Sequence, residues 1–258
     1  MTILDQIIKE KEKEVMILKE NKHQKYGNKK NVQSFHQSVL ANNHMSIIAE
    51  IKRASPSKGM IHPHVNPAKQ AKLYESAGAQ AISVLTDEAF FKGHMDDLRQ
   101  VREAVDIPIL CKDFMIDPVQ IDIAKDAGAN IILLIAAALN NEKLRSLYHY
   151  AKEKDLEVLC EVHNEKEMED VLALDPLLIG VNNRNLKNFH VDLTTTKRLA
   201  NMVNREDCVF ISESGLQTEK DIEKVARYGA KAVLVGETFM RSNKVTETIQ
   251  SFQVPLTP

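Results

Sequence analysis

Three copies of one short unit decide the fold: AGAQAISVL at 77–85, AGANIILLI at 127–135 and YGAKAVLVG at 228–236. Each copy has the pattern of a helix end, a glycine just past that end, and then a buried strand. The second copy starts 50 residues after the first, and the third starts a further 101 residues along the chain. Because a spacing of 50 fits two strand–helix units and one of 101 fits four, we expect a fold built from repeated strand–helix units.

Short apolar runs recur along the chain, and each of them is nearly continuous rather than alternating. This pattern is typical of strands that are buried on both faces of a parallel sheet. Amphipathic stretches of helical length lie between the runs, as at 96–105 and 141–152. The eight runs are SIIAEI (46–51), AISVL (81–85), IPILC (107–111), NIILLI (130–135), LEVLC (156–160), LLIGV (177–181), CVFIS (208–212) and KAVLVG (231–236).

Eight strand–helix units in about 210 residues predict the α/β class and, within it, a (β/α)8 TIM barrel. The main alternative is an open doubly wound sheet, but no GxGxxG fingerprint follows the first strand. The residues before the barrel predict an N-terminal helical extension: an amphipathic helix, a turn near 26–31 and a short helix around 34–40. This extension covers either the bottom of the barrel or its open end, and the sequence leaves both positions open. We expect one domain over 1–258, with the extension at 1–45 and the barrel at 46–252.

Composition limits the kind of protein that this chain can be. Of its 258 residues, 43% are hydrophobic and 27% are charged, which is ordinary for a globular protein. The formal net charge of -2 offers no basic field for nucleic acid or an anionic membrane. Three cysteines exclude a disulfide scaffold. We expect no secretory signal from the first residues, and no apolar run reaches the roughly 20 residues of a membrane span. We expect a cytoplasmic protein without nucleic-acid or membrane partners, either a monomer or a weak homodimer.

Charged side chains stand at the carboxyl ends of several predicted strands, where a parallel barrel has its functional site. Glu50 and Lys52 are two residues apart, so they share one face. By the same alternation Lys112 and Glu161 point into the barrel, while the cysteine before each of them points outward. With Glu213, two lysines and three glutamates meet at one mouth, which suits acid–base chemistry on an anionic substrate. A lysine partly desolvated near other cations can donate a proton near neutral pH; a satisfied ion-pair network is the alternative.

A phosphate-binding site is indicated by three glycine- and serine-containing loops. SPSKG (55–59) follows the first strand, Ser214 and Gly215 follow the seventh, and GET (236–238) opens a short helix after the eighth. The loops after strands seven and eight, with a short helix, form the usual phosphate site of these barrels. Glycine at positions 215 and 236 lets backbone N–H groups approach an oxyanion.

Apolar side chains complete the predicted pocket. Phe91 follows the second strand, Phe114 follows the third, and Leu133 lies in the fourth. They suit a flat ring as ligand, although a phenylalanine beside a loop also serves simple packing.

Other polar residues are given no part in the chemistry. His62 and His64 lack a third ligand at helical spacing, so we expect no metal site. His163 follows Glu161 closely and is expected to be solvated or to support the site. The stretch 9–30 is rich in lysine and glutamate and predicts a solvated helix face.

The chain resembles the indole-3-glycerol phosphate synthase family in segments that span all eight strands. The combination of AEIKxxSPSKG with KDF at the third strand is the most specific part of this likeness. The matching segments are AEIKRASPSKG (49–59), LTDEAFFKG (85–93), LCKDFMIDPVQI (110–121), ILLIAAAL (132–139), EVHN (161–164), GVNNRNL (180–186), SESG (212–215) and LVGETFMR (234–241).

The resemblance implies an activity in tryptophan biosynthesis, a carbon–carbon lyase (carboxy-lyase) reaction. The family carries out ring closure, decarboxylation and dehydration of 1-(2-carboxyphenylamino)-1-deoxy-D-ribulose 5-phosphate, a phosphorylated small molecule, to indole-3-glycerol phosphate. It uses neither a metal nor an organic cofactor. The alternatives are another phosphosugar-binding TIM-barrel isomerase or aldolase, and a barrel that binds an anionic ligand without catalysis.

The resemblance also implies roles for individual residues. Lys112 would be the general acid of ring closure and Glu161 the general base of the dehydration. Lys52 would hold the substrate carboxylate, and which lysine serves which proton transfer is left open. Glu50 would orient the lysines, and Asn182 and Glu213 would complete the catalytic set by holding polar groups of the substrate. The implied substrate contacts are Ser55, Pro56, Ser57, Phe91, Phe114, Leu133, Arg184, Ser214, Gly215, Leu234, Gly236 and Glu237.

Overall fold

A closed barrel of eight parallel strands forms the centre of the molecule, in a computed structural model that describes residues 2–20 and 32–256. Each strand pairs in parallel with its neighbours in the chain, and the last pairs with the first. The predicted (β/α)8 TIM barrel is confirmed, and the open sheet is excluded because the first and last strands pair. The strands are β1 (Ser46–Ile51), β2 (Ala81–Leu85), β3 (Ile109–Lys112), β4 (Ile131–Ile135), β5 (Glu157–Val162), β6 (Leu178–Asn182), β7 (Val209–Glu213) and β8 (Ala232–Val235).

Helices precede the barrel and connect its strands. A two-stranded hairpin of Ala54–Ser55 and Gly59–Met60 follows β1, and a 3₁₀ turn at Ala136–Ala138 follows β4. Among the described residues, no helix has both the length and the apolar character needed to cross a bilayer. The helices are α1 (Ile3–Glu20), α2 (Phe35–Leu40), α3 (Pro67–Ser76), α4 (Glu88–Phe91), α5 (Met95–Ala104), α6 (Pro118–Ala127), α7 (Asn141–Glu153), α8 (Glu165–Leu172), α9 (Thr194–Ala200), α10 (Glu219–Arg227), α11 (Glu237–Arg241) and α12 (Val245–Phe252).

The repeated glycine marks the end of a helix in all three copies of the unit. Its φ is 99° at Gly78, 104° at Gly128 and 97° at Gly229. These are left-handed backbone conformations, which glycine adopts without steric cost and which stop a helix before the next strand. The unit therefore sets the short helix-to-strand connections on which the barrel depends.

Alternation along the strands separates an inner from an outer core. Leu110 and Leu159 pack inside the barrel, whereas Cys111 and Cys160 pack between the strands and the helices. The residues that follow the cysteines therefore return to the inner side, as the sequence predicts. This alternation directs the polar residues at the strand ends toward the mouth.

The two helices of the extension lie at opposite ends of the barrel. Phe35 and Val39 of α2 belong to the inner core, and Glu157 at the start of β5 accepts the Phe35 N–H at 2.9 Å, so α2 closes the bottom. Residues Ile3 and Ile7 of α1 instead lie over the open end. Both positions that the sequence leaves open are thus occupied, one by each helix. The turn expected near 26–31 lies outside the described residues.

A buried lysine anchors α1 above the barrel. The Nζ atom of Lys11 lies 2.7 Å from Asp113, 3.2 Å from Asp87 and 2.8 Å from Glu14. Asp113 follows β3 and Asp87 follows β2, so this cluster joins α1 to two loops of the mouth. The expectation of a solvated face over 9–30 is wrong at Lys11, which continues the buried stripe of Ile7 and Val15 at helical spacing.

Replacing the buried lysine tests this anchor. We expect Lys11→Met to lower the free energy of unfolding by about 3–5 kcal/mol, because it leaves two buried carboxylates without their cation. Lys13→Met is the matched control, since Lys13 is exposed and pairs with Glu10 in water, where such pairs contribute about 0–1 kcal/mol. Urea unfolding measures both variants, and equal losses would contradict the anchor.

Candidate active site

The carboxyl ends of the strands surround a cavity of about 540 Å³ whose roof is α1. Each of the eight strands contributes at least one lining residue. All eighteen residues named from the sequence as catalytic or substrate-binding line this cavity, so the fold brings them together, while their roles stay predictions. They are Glu50, Lys52, Ser55, Pro56, Ser57, Phe91, Lys112, Phe114, Leu133, Glu161, Asn182, Arg184, Glu213, Ser214, Gly215, Leu234, Gly236 and Glu237.

Lys112 lies between two buried carboxylates. Its Nζ donates to Oε2 of Glu161 at 2.8 Å and to Oε2 of Glu213 at 2.6 Å. Burial disfavours the ammonium, but the charges of Glu161, Glu213 and Glu50 outweigh it and raise the pKa of Lys112 above its usual range. Nearby cations, which would favour proton release from a lysine, do not dominate around Lys112, because its nearest charged neighbours are carboxylates. Lys112 therefore keeps its proton at neutral pH.

The two carboxylates around Lys112 differ in their protonation. Burial raises the pKa of Glu213 to about 7, since Lys112 offsets the lost solvation only in part and Glu161 repels a second negative charge. Burial acts on Glu161 too, but Lys112 and His163 together lower the pKa of Glu161 below its usual range. Asn182 also donates Nδ2 to Oε1 of Glu161 at 3.1 Å. Neighbouring groups whose environments separate their pKa values are the arrangement that acid–base catalysis uses.

A second ion pair lies on the β1 side of the cavity. The Nζ of Lys52 is 2.6 Å from Oε1 of Glu50. Gly236 packs against this pair, and a Cβ there would come within 2.2 Å of Glu50 Oε1 and 2.8 Å of Lys52 Nζ. The end of β8 can approach the pair closely only because residue 236 has no side chain.

The three loops that the sequence indicates as phosphate-binding follow β1, β7 and β8, which are neighbours in the barrel. The loop after β1 meets α11 through Lys58, whose Nζ lies 3.4 Å from Glu237. After β7, Ser214 and Gly215 have φ values of 69° and 81°. Ser55, Ser57 and Lys58 line the same cavity as these backbone turns. The set of site residues from the sequence omits Lys58, although its place in the SPSKG loop was a usable signal.

An apolar side of the cavity lies between β2, β3 and the roof. The rings of Phe91 and Phe114 lie 5.9 Å apart between centroids, at an angle of 37°. Leu133 of β4 lines the same cavity, and Ile3, Leu4 and Ile7 of α1 cover it. The sequence does not assign these three roof residues to the site, because an amphipathic stripe alone does not reveal which surface it covers. This side suits a planar apolar group.

Fold and site together define a TIM-barrel protein whose cavity is suited to acid–base chemistry on an anionic substrate with a flat ring. The indole-3-glycerol phosphate synthase family model matches residues 4–252. The indole-3-glycerol phosphate synthase of Oceanobacillus iheyensis is 54% identical over 99% of this chain and 98% of its own length. That of Bacillus cereus strain B4264 is 50% identical over 98% of each. The chain belongs to the indole-3-glycerol phosphate synthase family.

Solved structures of more distant proteins share the barrel. A crystal structure of 3-hexulose-6-phosphate synthase has a TM-score of 0.63 at 16% identity, covering 81% of this chain and 98% of that one. Thiamine phosphate pyrophosphorylase from Pyrococcus furiosus has a TM-score of 0.60 at 14% identity, covering 83% and 95%. At such identities these likenesses concern the fold alone.

The raised pKa of Glu213 predicts how stability depends on pH. Between the ordinary pKa of 4.5 and about 7, the folded chain holds a proton on Glu213 that the unfolded chain has lost. Stability therefore falls as pH rises through this window. Glu213→Gln removes this loss, so we expect its unfolding free energy to rise relative to that of the wild type by on the order of 1–3 kcal/mol.

Urea unfolding of both proteins at several pH values between 4.5 and 7 measures the effect. Glu206→Gln, a change at an exposed position, is the control and should give a constant difference. A constant difference for Glu213→Gln as well would contradict the raised pKa.

Proposed function

We propose that this cavity converts 1-(2-carboxyphenylamino)-1-deoxy-D-ribulose 5-phosphate into indole-3-glycerol phosphate, carbon dioxide and water. Membership of the family makes the chain a carboxy-lyase of tryptophan biosynthesis. The observation that carries the assignment to this cavity is Lys112, a buried ammonium between Glu161 and Glu213. It stands in a cavity with phosphate-type loops and an apolar side, which correspond to the two ends of this substrate.

Lys112 is the acid of the first step. A bond forms between the ring carbon that carries the carboxylate and the ketone carbon, and the ketone oxygen becomes an alkoxide. An alkoxide is a much stronger base than a lysine amine, so Lys112 can give up its proton there even though its pKa is raised. The fixed ammonium also stabilises the negative charge as it develops.

The remaining steps follow from the balance of atoms and protons. The bond to the carboxylate breaks, carbon dioxide leaves, and the electron pair restores the aromatic ring. The hydroxyl then leaves as water after taking a proton from Lys52, the second ammonium in the cavity, while Glu161 takes a proton from the neighbouring carbon. Two protons are donated and one is recovered, so each turnover takes up one proton from solvent.

The other lining residues bind and orient the flexible substrate. Ser55, Ser57, Gly215, Gly236 and the backbone at Glu237 hold the phosphate, where the loops after β1, β7 and β8 meet. The apolar set of Pro56, Phe91, Phe114, Leu133 and Leu234 encloses the aromatic ring. Glu50 holds Lys52, and Asn182, Arg184 and Ser214 hold polar groups between the two ends. Fixing both ends brings the reacting carbons together, which removes much of the entropic part of the barrier.

We also propose that the chain works in the cytoplasm, as a monomer, on this phosphorylated small molecule. Within one copy, all eight strands and the roof helix contribute residues to the cavity. Cys111, Cys160 and Cys208 are buried free thiols, which a reducing compartment preserves.

Replacing Lys112 tests the proposed acid. We expect Lys112→Ala to lower kcat by about 10²- to 10⁴-fold, the usual contribution of a positioned acid. Lys143→Ala, at an exposed position in α7, is the control and should keep full activity. The measurement is indole fluorescence formed from the carboxyphenylamino ketose phosphate without added metal.

Substrate binding is measured in parallel by titration of Lys112→Ala, and we expect it to persist because the phosphate loops and the apolar side are unchanged. Full turnover by this variant would overturn Lys112 as the acid. Absence of indole fluorescence with the wild type would overturn the function itself.

A further inference from the structure

His163 is buried beside the proposed base without lining the cavity. It follows the last residue of β5, and its side chain is only 9% exposed. Its Nε2 lies 3.4 Å from Oε1 of Glu161. Among the described residues this Nε2 completes no hydrogen bond, so it is a buried donor directed at a carboxylate at the distance of an ion pair.

Glu167 holds the other side of the imidazole. Its Oε2 lies 3.0 Å from Nδ1 of His163 and accepts the backbone N–H of His163 at 2.8 Å. Its Oε1 accepts from Nδ2 of Asn164 at 2.6 Å, and Asn164 caps α8 through the backbone N–H of Glu167 at 3.0 Å. Glu167 is therefore fixed by the first turn of α8, and it fixes the ring of His163 in turn. The imidazole of His163 therefore lies between two carboxylates: Glu161, which lines the cavity, and Glu167, which belongs to α8.

This arrangement gives the imidazole a positive charge. Burial disfavours that charge, but the carboxylates of Glu161 and Glu167 outweigh it and raise the pKa of His163 to about 9. With both nitrogens protonated, one N–H points to each carboxylate. The other charged groups around Glu161 are Lys112 of β3 and, beyond it, Glu213 of β7 and Glu50 of β1.

We propose that His163, held by Glu167, is a positioning residue that keeps Glu161 ionised and correctly oriented while Lys112 is engaged with the substrate. This inference rests on the proposed function. Once Lys112 has given a proton to the ketone oxygen it is a neutral amine, so ring closure removes the main positive charge beside Glu161. His163 does not line the cavity, and among the described residues it is the other cation beside Glu161. An ionised Glu161 is required for the proton abstraction that follows.

Kinetics of three variants test this role. We expect His163→Leu to lower kcat by about 10- to 100-fold, part of what a positioned base supplies, and to leave KM within about twofold. The acidic limb of its kcat profile should move up by about one pH unit, since an opposite charge within hydrogen-bond reach shifts a pKa by about 1–3. His163→Gln keeps a neutral donor, so it should recover part of kcat but keep the displaced limb. Glu167→Gln leaves the imidazole protonated in the acidic range, so it should lower kcat through the less firmly held ring without moving the limb upward.

Lys166→Ala is the matched control for these variants. Lys166 lies on the same helix as Glu167, is 72% exposed and pairs only with carboxylates of α8 among the described residues. It should leave kcat, KM and the pH profile unchanged. An unchanged acidic limb in His163→Leu would overturn the proposal. If this variant fails to fold, the limb in His163→Gln decides the question in the same way.

A titration of the free protein separates this inference from the proposed function. Nuclear magnetic resonance of the imidazole carbons follows His163 without substrate, and its pKa should be about 9 in the wild type and lower in Glu167→Gln. A value near the ordinary 6.5 would overturn the inference whatever the activity. The expected titration together with no formation of indole would overturn the proposed function and the role of Glu161 as its base.

Discussion

Closure of the parallel sheet is the constraint from which the site follows. Eight strands that run in one direction end on a single ring, so side chains far apart in sequence meet at one mouth. Lys112 and Glu161 are 49 residues apart, and Lys112 and Glu213 are 101 apart, yet both pairs are in hydrogen-bond contact. Charges placed there lose much of their hydration and must find partners within the ring. The ion pairs of the cavity are thus a consequence of barrel closure.

The two carboxylates that contact Lys112 do not have the same number of partners, and this difference affects their protonation. Glu213 has one oxygen on Lys112, and its Oε1 is buried without a hydrogen-bond partner among the described residues. That oxygen lies against Gly180, where a Cβ would come within 2.2 Å. Glu161, by contrast, has contacts from Lys112, Asn182 and His163. Two carboxylates on one ammonium therefore differ in proton affinity because one is fully partnered and the other is not.

The features of the fold and site that depend on local periodicity can be predicted from the sequence. Continuous apolar runs located all eight strands, and the alternation of Cys111 with Lys112 and of Cys160 with Glu161 showed which side chains enter the barrel. The direction in which the pKa of Lys112 is shifted cannot be predicted from the sequence, because it depends on how close the carboxylates of other strands, such as Glu213 and Glu50, come across the barrel. The sequence does not predict the burial of Lys11, because a lysine in a charged stretch is ordinarily solvated. Only its position at helical spacing between Ile7 and Val15 indicates that it lies on the buried face. The position of each extension helix depends on contacts that local sequence does not encode.

The roof helix α1 and the aromatic side of the cavity are connected by hydrogen bonds and ion pairs. Asp87 accepts the backbone N–H of Phe91 at 3.2 Å, and Asp113 accepts that of Phe114 at 2.7 Å, so each carboxylate positions one of the two rings. Both carboxylates also contact the ammonium of Lys11 under α1. Asp113 also directly follows Lys112 in the chain, so the ion-pair cluster around Lys11 is linked to Lys112 through the backbone. A displacement of α1 would therefore reach Phe91 and Phe114, the proposed ring-binding side chains, through two ion pairs, which makes the extension a part of the candidate site.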